Sequence, residues 1–354
     1  MPQHAFATIP ATILVGILLG TLLRHLAVPL PYFVGAFLFF ALMERSGRGF
    51  AMPVPLYRVA IPVLGVLLGA RMTAEGMVLI ATAWPLVLLL VAFMAVATLT
   101  GLFVFVRLGG QDRRTSLLLA SPGGFGEATV LADMFKLDMQ RVAMVHTLRI
   151  GCVVLVAPPL LGWWFAIDLD RALFATAGGA WLPSAATAVT IVVAATLGRL
   201  IFLRLGLPAA ALLGPMTVAG AASVAGLVEL RVPVWIMWLT QIALGAYLGS
   251  RFGRIRLAAL GSLAWVGCFW ALALPTMAIG FVLLGAGLYA GDFVTLFLAF
   301  APGGLPEMAL IALMLGADGS LVGAFHLLRV SLLSWSMALL LQHLPAKVSE
   351  DVEP

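Results

Sequence analysis

Two glutamates and two His-x-x-Arg pairs hold most of the chemistry this sequence could perform. Glu127 follows Ser121-Pro122-Gly123-Gly124, and Glu307 follows Ala301-Pro302-Gly303-Gly304. His146 and Arg149 come downstream of the first stretch, His326 and Arg329 downstream of the second. Each first-half residue stands 180 positions before its partner, as 127 does to 307 and 149 to 329. The surrounding sequence is almost wholly apolar, and ionisable residues in such surroundings are costly and mark function by default. Burial disfavours a charged carboxyl, whereas a neighbouring guanidinium favours it. Glu127 and Glu307, with His146 and His326, are therefore candidates for proton coupling. A capping role, or pairing with an arginine, stands beside that reading for the glutamates.

The residues between carry a second kind of chemistry. Proline lacks a backbone N–H, and paired glycines disfavour helix. Ser121, Pro122, Gly123 and Gly124 should therefore break a helix, as should Pro302, Gly303 and Gly304. A helix restarting after the break aims its N-terminal N–H groups back at it, which suits an anion. A proline kink that only packs helices is the plainer alternative. His and Arg three residues apart share a helix face. Arg149 and Arg329 could pair with the glutamates, or grip a substrate carboxylate or phosphate bidentately. The breaks and the two arginines together form the expected substrate-binding set. Asp138 and Asp318, each opening the next helix, read as N-terminal caps.

Other chemistries find little footing. Five histidines with no His-x3-His or Glu-x-x-His spacing imply no metal site, and no cofactor motif is present. Cys152 and Cys268 lie in apolar segments, with neither ligand spacing nor a disulfide framework. No phosphate-binding glycine loop or serine nucleophile elbow occurs.

The elements that must position these residues follow from composition. The chain has 354 residues, 63% hydrophobic and only 10% charged, with mean hydropathy +1.13. A soluble domain carries about 25% charged residues. Continuous apolar runs indicate an all-α, polytopic integral membrane protein rather than a barrel. The net charge of +5 resides in short clusters between apolar runs, as the positive-inside rule produces, so no nucleic-acid partner is expected. The first run lacks a positive leader and is expected to stay as a helix. Nine tryptophans, Trp163, Trp164, Trp235 and Trp238 among them, suit interfacial belts.

Twelve apolar segments divide into two sets of six. Those near 6–26, 30–43, 56–72, 77–106, 115–135 and 139–165 precede those near 182–203, 208–228, 234–250, 257–290, 293–316 and 319–343. Arg24 through Pro29 to Gly35 matches Arg204 through Pro208 to Gly214, and Gly65-x3-Gly69-x-Arg71 matches Gly245-x3-Gly249-x-Arg251. The glycines suit close helix approach. The expected domains are a first membrane repeat, 1–170, a second, 171–345, and a disordered tail, 346–354. Asp168, Asp170 and Arg171 mark the join.

Charge decides between parallel and inverted halves. If all twelve segments cross, Lys and Arg outside the helices divide evenly. If the two Pro-Gly-Gly segments enter and leave on one face, Arg24, Arg71, Arg171 and Arg231 alone remain on the minor side. Arg45, Arg48, Arg58, Arg107, Arg113, Arg114, Lys136, Arg141, Arg199, Arg204, Arg251, Arg254, Arg256 and Lys347 gather on the other. That bias is the one expected. It implies two inverted repeats, about ten crossings, two broken or re-entrant segments and cytoplasmic termini. Glu127 and Glu307 would then share one midplane site.

The paired Ser-Pro-Gly-Gly-x-x-Glu…His-x-x-Arg and Ala-Pro-Gly-Gly-x-x-Glu…His-x-x-Arg stretches resemble the AbrB-type membrane protein duplication family. The resemblance covers nearly the whole chain, and implies a likeness to inverted-repeat transporters. Family members carry labels of transcriptional regulator and ammonia monooxygenase, and no agreed substrate. The residues favour an inner-membrane secondary transporter of a small anionic solute, coupled to protons, over an enzyme. The alternative is a membrane sensor that affects gene expression indirectly. Expected partners are the lipid bilayer, a small-molecule solute and another copy of the chain.

Overall fold

The computed structural model describes residues 8–344 apart from 27, 48–49, 51, 75–77, 79–81, 165–176, 179–181, 208, 228–229, 231, 256–260, 286 and 288–291, and apart from the side chains of 162–164 and 177–178. The join at Asp168, Asp170 and Arg171, the tail 346–354, Pro208, and the side chains of Trp163 and Trp164 lie outside the described residues. So do Arg48, Arg231, Arg256 and Lys347 of the charge count.

Fourteen helices are described. The first seven are α1 (Ile9–His25), α2 (Pro31–Ser46), α3 (Val54–Gly69), α4 (Trp84–Arg107), α5 (Arg113–Ala120), α6 (Phe125–Met134) and α7 (Met139–Trp164). The next seven are α8 (Ala185–Arg204), α9 (Ala210–Val224), α10 (Val234–Gly253), α11 (Ser262–Gly285), α12 (Phe293–Phe300), α13 (Leu305–Leu315) and α14 (Gly319–His343). Five of them, α4, α7, α8, α11 and α14, are long and apolar enough to cross a membrane. Two two-residue strands, Ala177–Gly178 and Val232–Pro233, pair in parallel and are a minor addition to an all-α fold. The second set of helices repeats the first with nearly constant spacing. Thus α5 spans 113–120 and α12 spans 293–300.

Both Pro-Gly-Gly segments break where their composition requires. Neither α5 nor α6, at roughly 12 and 15 Å, could span an apolar layer of about 30 Å alone. The two half-helices fold back as a hairpin. The Arg114 guanidinium, at the start of α5, sits 5.8 Å from the ring centroid of Phe135, just past α6. In the second hairpin the Asp318 backbone N–H donates to Thr295 Oγ1 at 2.9 Å, closing the open end of α12–α13.

Helix α14 relates the two hairpins. At its N-terminus Asp318 meets the open end of the second hairpin. Near its C-terminus the Leu341 carbonyl accepts from Arg114 Nη2, at 2.7 Å, at the open end of the first. The intervening helix is roughly 35 Å long at 1.5 Å per residue. The hairpins therefore open toward opposite ends of the molecule, with their broken tips between.

The helices form two bundles, each drawing on both halves of the chain. One contains α1, α2, α3, α8, α9 and α10; the other contains α4 and α11, the two hairpins, α7 and α14. In the first bundle α3 packs on α9 and α10 packs on α2. A Cβ at Gly65 would strike the Leu212 carbonyl, and one at Gly245 the Phe33 carbonyl, so these backbones touch only because the residues are glycine. In the second bundle Phe93, Phe105, Trp270 and Phe300 are sealed from solvent around α4, α11 and α12. Outward faces carry exposed Leu14, Leu18, Leu22, Leu88, Leu99, Leu283 and Leu284, a surface suited to lipid.

Candidate functional site

A broken helix leaves the last carbonyls of its first half without intrahelical partners. Arg149 and Arg329 take those groups. Arg149 Nη1 donates to the Ser121 carbonyl at 2.6 Å, and Nη2 donates to that of Gly123. Arg329 Nη1 donates to Ala301 at 2.5 Å and to Phe300 at 3.3 Å, while Nη2 donates to Gly303 at 3.0 Å. The histidines do the same one turn earlier. His146 Nε2 meets the Leu118 carbonyl at 3.0 Å, and His326 Nε2 that of Leu298 at 2.9 Å. A carbonyl can only accept, so both rings carry their proton on Nε2. All four side chains are buried. The three-residue spacing sets each His and Arg on one helix face, so each pair clamps the C-terminal half-turn of α5 or α12. The arginines thus hold backbone carbonyls of the breaks.

The glutamates occupy the other side of each break. Gly124 and Gly304 are N-caps of α6 and α13, and Glu127 and Glu307 stand three residues on. A Cβ at Gly124 would fall on Glu127 Oε2, and one at Gly304 on Glu307 Oε2. Each carboxylate therefore folds back over its own helix start, where the positive end of the helix favours it. A solute anion would have to share these helix ends with a resident carboxylate.

Both carboxylates line one cavity of about 520 Å³. The hairpin bundle supplies Gly124 to Glu127, Gly304 to Glu307, Thr147, Ile150, Leu327 and Val330. The other bundle supplies Tyr57, Ile61, Arg199, Leu203, Leu212, Tyr247, Leu248 and Arg251. The cavity thus lies along the seam between the bundles. Of the solute-binding and proton-coupling residues expected from the sequence, Gly124, Gly304, Glu127 and Glu307 reach it. Ser121, Pro122, Gly123, Pro302, Gly303, Arg149, Arg329, His146 and His326 stand behind it, framing the breaks. Asp138 and Asp318 cap α7 and α14: Asp138 accepts from the Arg141 N–H at 2.9 Å, Asp318 from the Ser320 N–H at 2.9 Å.

Sequence reasoning passed over the aromatic and cationic wall opposite the glutamates. Tyr57 and Tyr247 stack with centroids 3.7 Å apart. The Arg251 guanidinium lies 4.1 Å from the Phe125 ring centroid and 4.4 Å from that of Tyr247. Its counterpart Arg71 instead donates to the Leu313 carbonyl at the end of α13, at 2.9 Å. The matched Gly-x3-Gly-x-Arg motifs pointed to both arginines but could not tell them apart.

A cavity at the seam of two bundles, faced by two broken helices, sits on a chain whose sequence can be compared as a whole. The profile of the family described as "Transition state regulatory protein AbrB" matches residues 32–344, nearly everything from α2 to the end of α14. The chain belongs to the AbrB family. A relative named "Putative regulator AbrB", from Escherichia coli (strain K12), is 28% identical over 323 residues, covering 88% of this chain and 88% of that protein. "Uncharacterized protein YhjN", from Bacillus subtilis (strain 168), is 28% identical over 292 residues, covering 76% of this chain and 73% of its own length. The residues matched by the AbrB family profile include both hairpins and every cavity residue.

Proposed function

We propose that this AbrB-family protein is a multi-pass secondary transporter of the inner membrane, moving a small anionic solute with protons carried on Glu127 and Glu307. The observation that supports it most is the single cavity lined by both glutamates and both broken helix starts. Two half-helix ends converging on one site between bundles is a construction suited to alternating access. On this reading the chain is a duplication of 1–170 as 171–345, with the two copies inverted. Recurrence of the helices after about 180 residues supports duplication. Hairpins opening at opposite ends of α14 support inversion. The hairpins are then re-entrant, and the remaining ten helices cross.

Ser121, Pro122, Gly123, Pro302 and Gly303, held by Arg149 and Arg329, form the rigid frame of the solute site. Gly124 and Gly304 face the solute. His146 and His326 have Nε2 committed to backbone, so proton movement falls to the glutamates. Rocking one bundle against the other would expose the cavity to each side in turn.

The test is flux in proteoliposomes under an imposed pH gradient. Wild-type protein should show solute uptake that follows the gradient, and Glu127→Gln with Glu307→Gln should abolish that dependence. Unchanged pH-linked flux in the double variant overturns the coupling role. A second reading draws on the name of the Escherichia coli relative: a membrane regulator that binds the solute without moving it. It predicts saturable binding to the same cavity with no flux in any gradient. For the oxygenase label, no group of three or more His, Cys, Asp or Glu side chains suited to a metal is present among the described residues.

A further inference from the structure

We propose that Arg251 takes the anionic group of the solute, and that the solute is a small organic carboxylate with an apolar body. The inference rests on the cavity being the solute site, and deepens that reading.

Arg251 differs from the other arginines packed inside the molecule. Arg71, Arg114, Arg149 and Arg329 all donate to backbone carbonyls. At the surface, Arg141 pairs with Asp138 and Arg254 with Glu44. Arg251 hydrogen-bonds to no described group, and its nitrogens are not among the sealed, unpartnered atoms of the interior. Instead its guanidinium lies over Phe125 and Tyr247, and Tyr247 in turn stacks on Tyr57. Aromatic faces attract the cation and hold its plane. The N–H groups, which lie in that plane, remain free toward the cavity. A planar fork held in this way fits a carboxylate bidentately.

Charge and shape narrow the solute further. The cavity holds two arginines, Arg251 and Arg199, and two glutamates. Each helix start adds roughly half a positive charge. With both glutamates ionised the site therefore carries a surplus of about one positive charge, enough for a monoanion. Most of the remaining wall is apolar, Ile61, Leu203, Leu212, Leu248, Leu327 and Val330 included, with Thr147 beside them. Such walls favour an apolar body and offer little to a strongly hydrated ion such as phosphate.

The arrangement also links the solute to protons. Arg251 acts electrostatically on Glu307, and Glu127 lies within electrostatic reach of Arg329 behind the second break. Tyr57, Tyr247, Arg199 and Arg251 are the other ionisable groups facing the glutamates. Protonating either glutamate removes a negative charge beside the anion site. Anion affinity should rise as pH falls, which is the linkage of a proton–anion symporter.

The experiment is titration calorimetry on the full chain in phosphatidylcholine nanodiscs, with benzoate, benzamide and phosphate as probes. Benzoate should bind, and benzamide and phosphate should bind at least about tenfold more weakly, as expected when charge-assisted bonds are absent or the body does not fit. Arg251→Gln should weaken benzoate by about tenfold or more while its melting temperature stays near that of the wild type. Arg251→Lys should recover part of the loss, since it restores charge but not the fork. Glu307→Gln should bind benzoate at least as tightly as wild type, and with a smaller pH dependence. Benzoate binding unaffected by Arg251→Gln overturns the clamp, as does phosphate binding more tightly than benzoate, or no benzoate binding at all. If the clamp fails while pH-linked flux persists, the inference falls and transport stands. If Arg251-dependent binding occurs with no flux, transport falls and the inference stands.

Discussion

The two hairpins have the same motif and unequal surroundings. In the second, every residue from Glu307 to Leu315 is buried. In the first, α6 buries only Ala128, Leu131 and Ala132, and leaves Val130 59% and Met134 66% exposed. The cause is legible in composition: α13 runs Met-Ala-Leu-Ile-Ala-Leu-Met-Leu after its glutamate, whereas α6 carries Thr129 and Asp133. Partners differ as well. Helix α13 packs against α3 and α10 of the other bundle, and Arg71 and Gln241 reach Leu313 and Met314 near its end. Helix α6 meets that bundle chiefly where Phe125 lies under Arg251, and its other side faces a groove of about 570 Å³ against Trp335 and Leu339. A repeated motif has thus become one anchored hairpin and one with room to move. The movable one carries the ring that supports the proposed anion clamp.

The largest expected effect tests the anchoring itself. Arg329→Met would strand the carbonyls of Phe300 and Gly303 and the Nδ1 atom of His326 in a buried site, while Ala301 keeps the Gly303 N–H; Arg149→Met strands the carbonyls of Ser121 and Gly123. Each buried unsatisfied group costs about 1–3 kcal/mol, so both variants should be unstable and the Arg329 variant the more so. Thermal melts of the detergent-solubilised protein, followed by tryptophan fluorescence, give the order. A lower melting temperature for Arg149→Met would reverse the comparison.

A smaller effect should appear without mutation. Local opening follows buried contact, and α6 has far less of it than α13. Amide hydrogen exchange should be faster across Phe125–Met134 than across Leu305–Leu315, by an opening free energy of about 2 kcal/mol. Equal protection would mean that the groove beside α6 is filled in the membrane, and the proposed mobility of the first hairpin would lose its basis.

How much of this could be read from residues alone varied with the kind of contact. Both breaks were legible, because Pro122-Gly123-Gly124 and Pro302-Gly303-Gly304 have few ways to continue a helix. The charge count led to one shared site for Glu127 and Glu307, and both side chains line one cavity. The arginines were harder to place. Their acceptors are backbone carbonyls, which every residue has, so no side-chain pattern could announce them, and a glutamate partner looked as good. The clamp was hidden for another reason. Arg71 and Arg251 stand in matching motifs, and only packing shows that one binds a helix end while the other rests on Phe125 and Tyr247. The sorting of helices into two bundles was equally hidden, since Gly65 and Gly245 tell of a close approach but not of which helix approaches.

The finest distinction lies in the histidines. Both donate from Nε2 to a carbonyl, so both Nδ1 atoms are bare acceptors. His326 Nδ1 accepts from Arg329 Nη2 at 3.0 Å, while His146 Nδ1 is buried without a partner. His326→Phe should therefore cost more than His146→Phe, by about 1 kcal/mol, the worth of one hydrogen bond. A difference that small is open to unequal packing around the new rings, so the single variants do not decide it. Double-mutant cycles do, because the packing terms cancel. The cycle joining His326→Phe with Arg329→Lys should give a coupling of about 1 kcal/mol, and the cycle joining His146→Phe with Arg149→Lys should give a value near zero. Equal couplings would mean that the first hairpin's His and Arg also meet in the membrane. The anchoring difference would then rest on burial alone, and the first hairpin's break would be held as firmly as the second's.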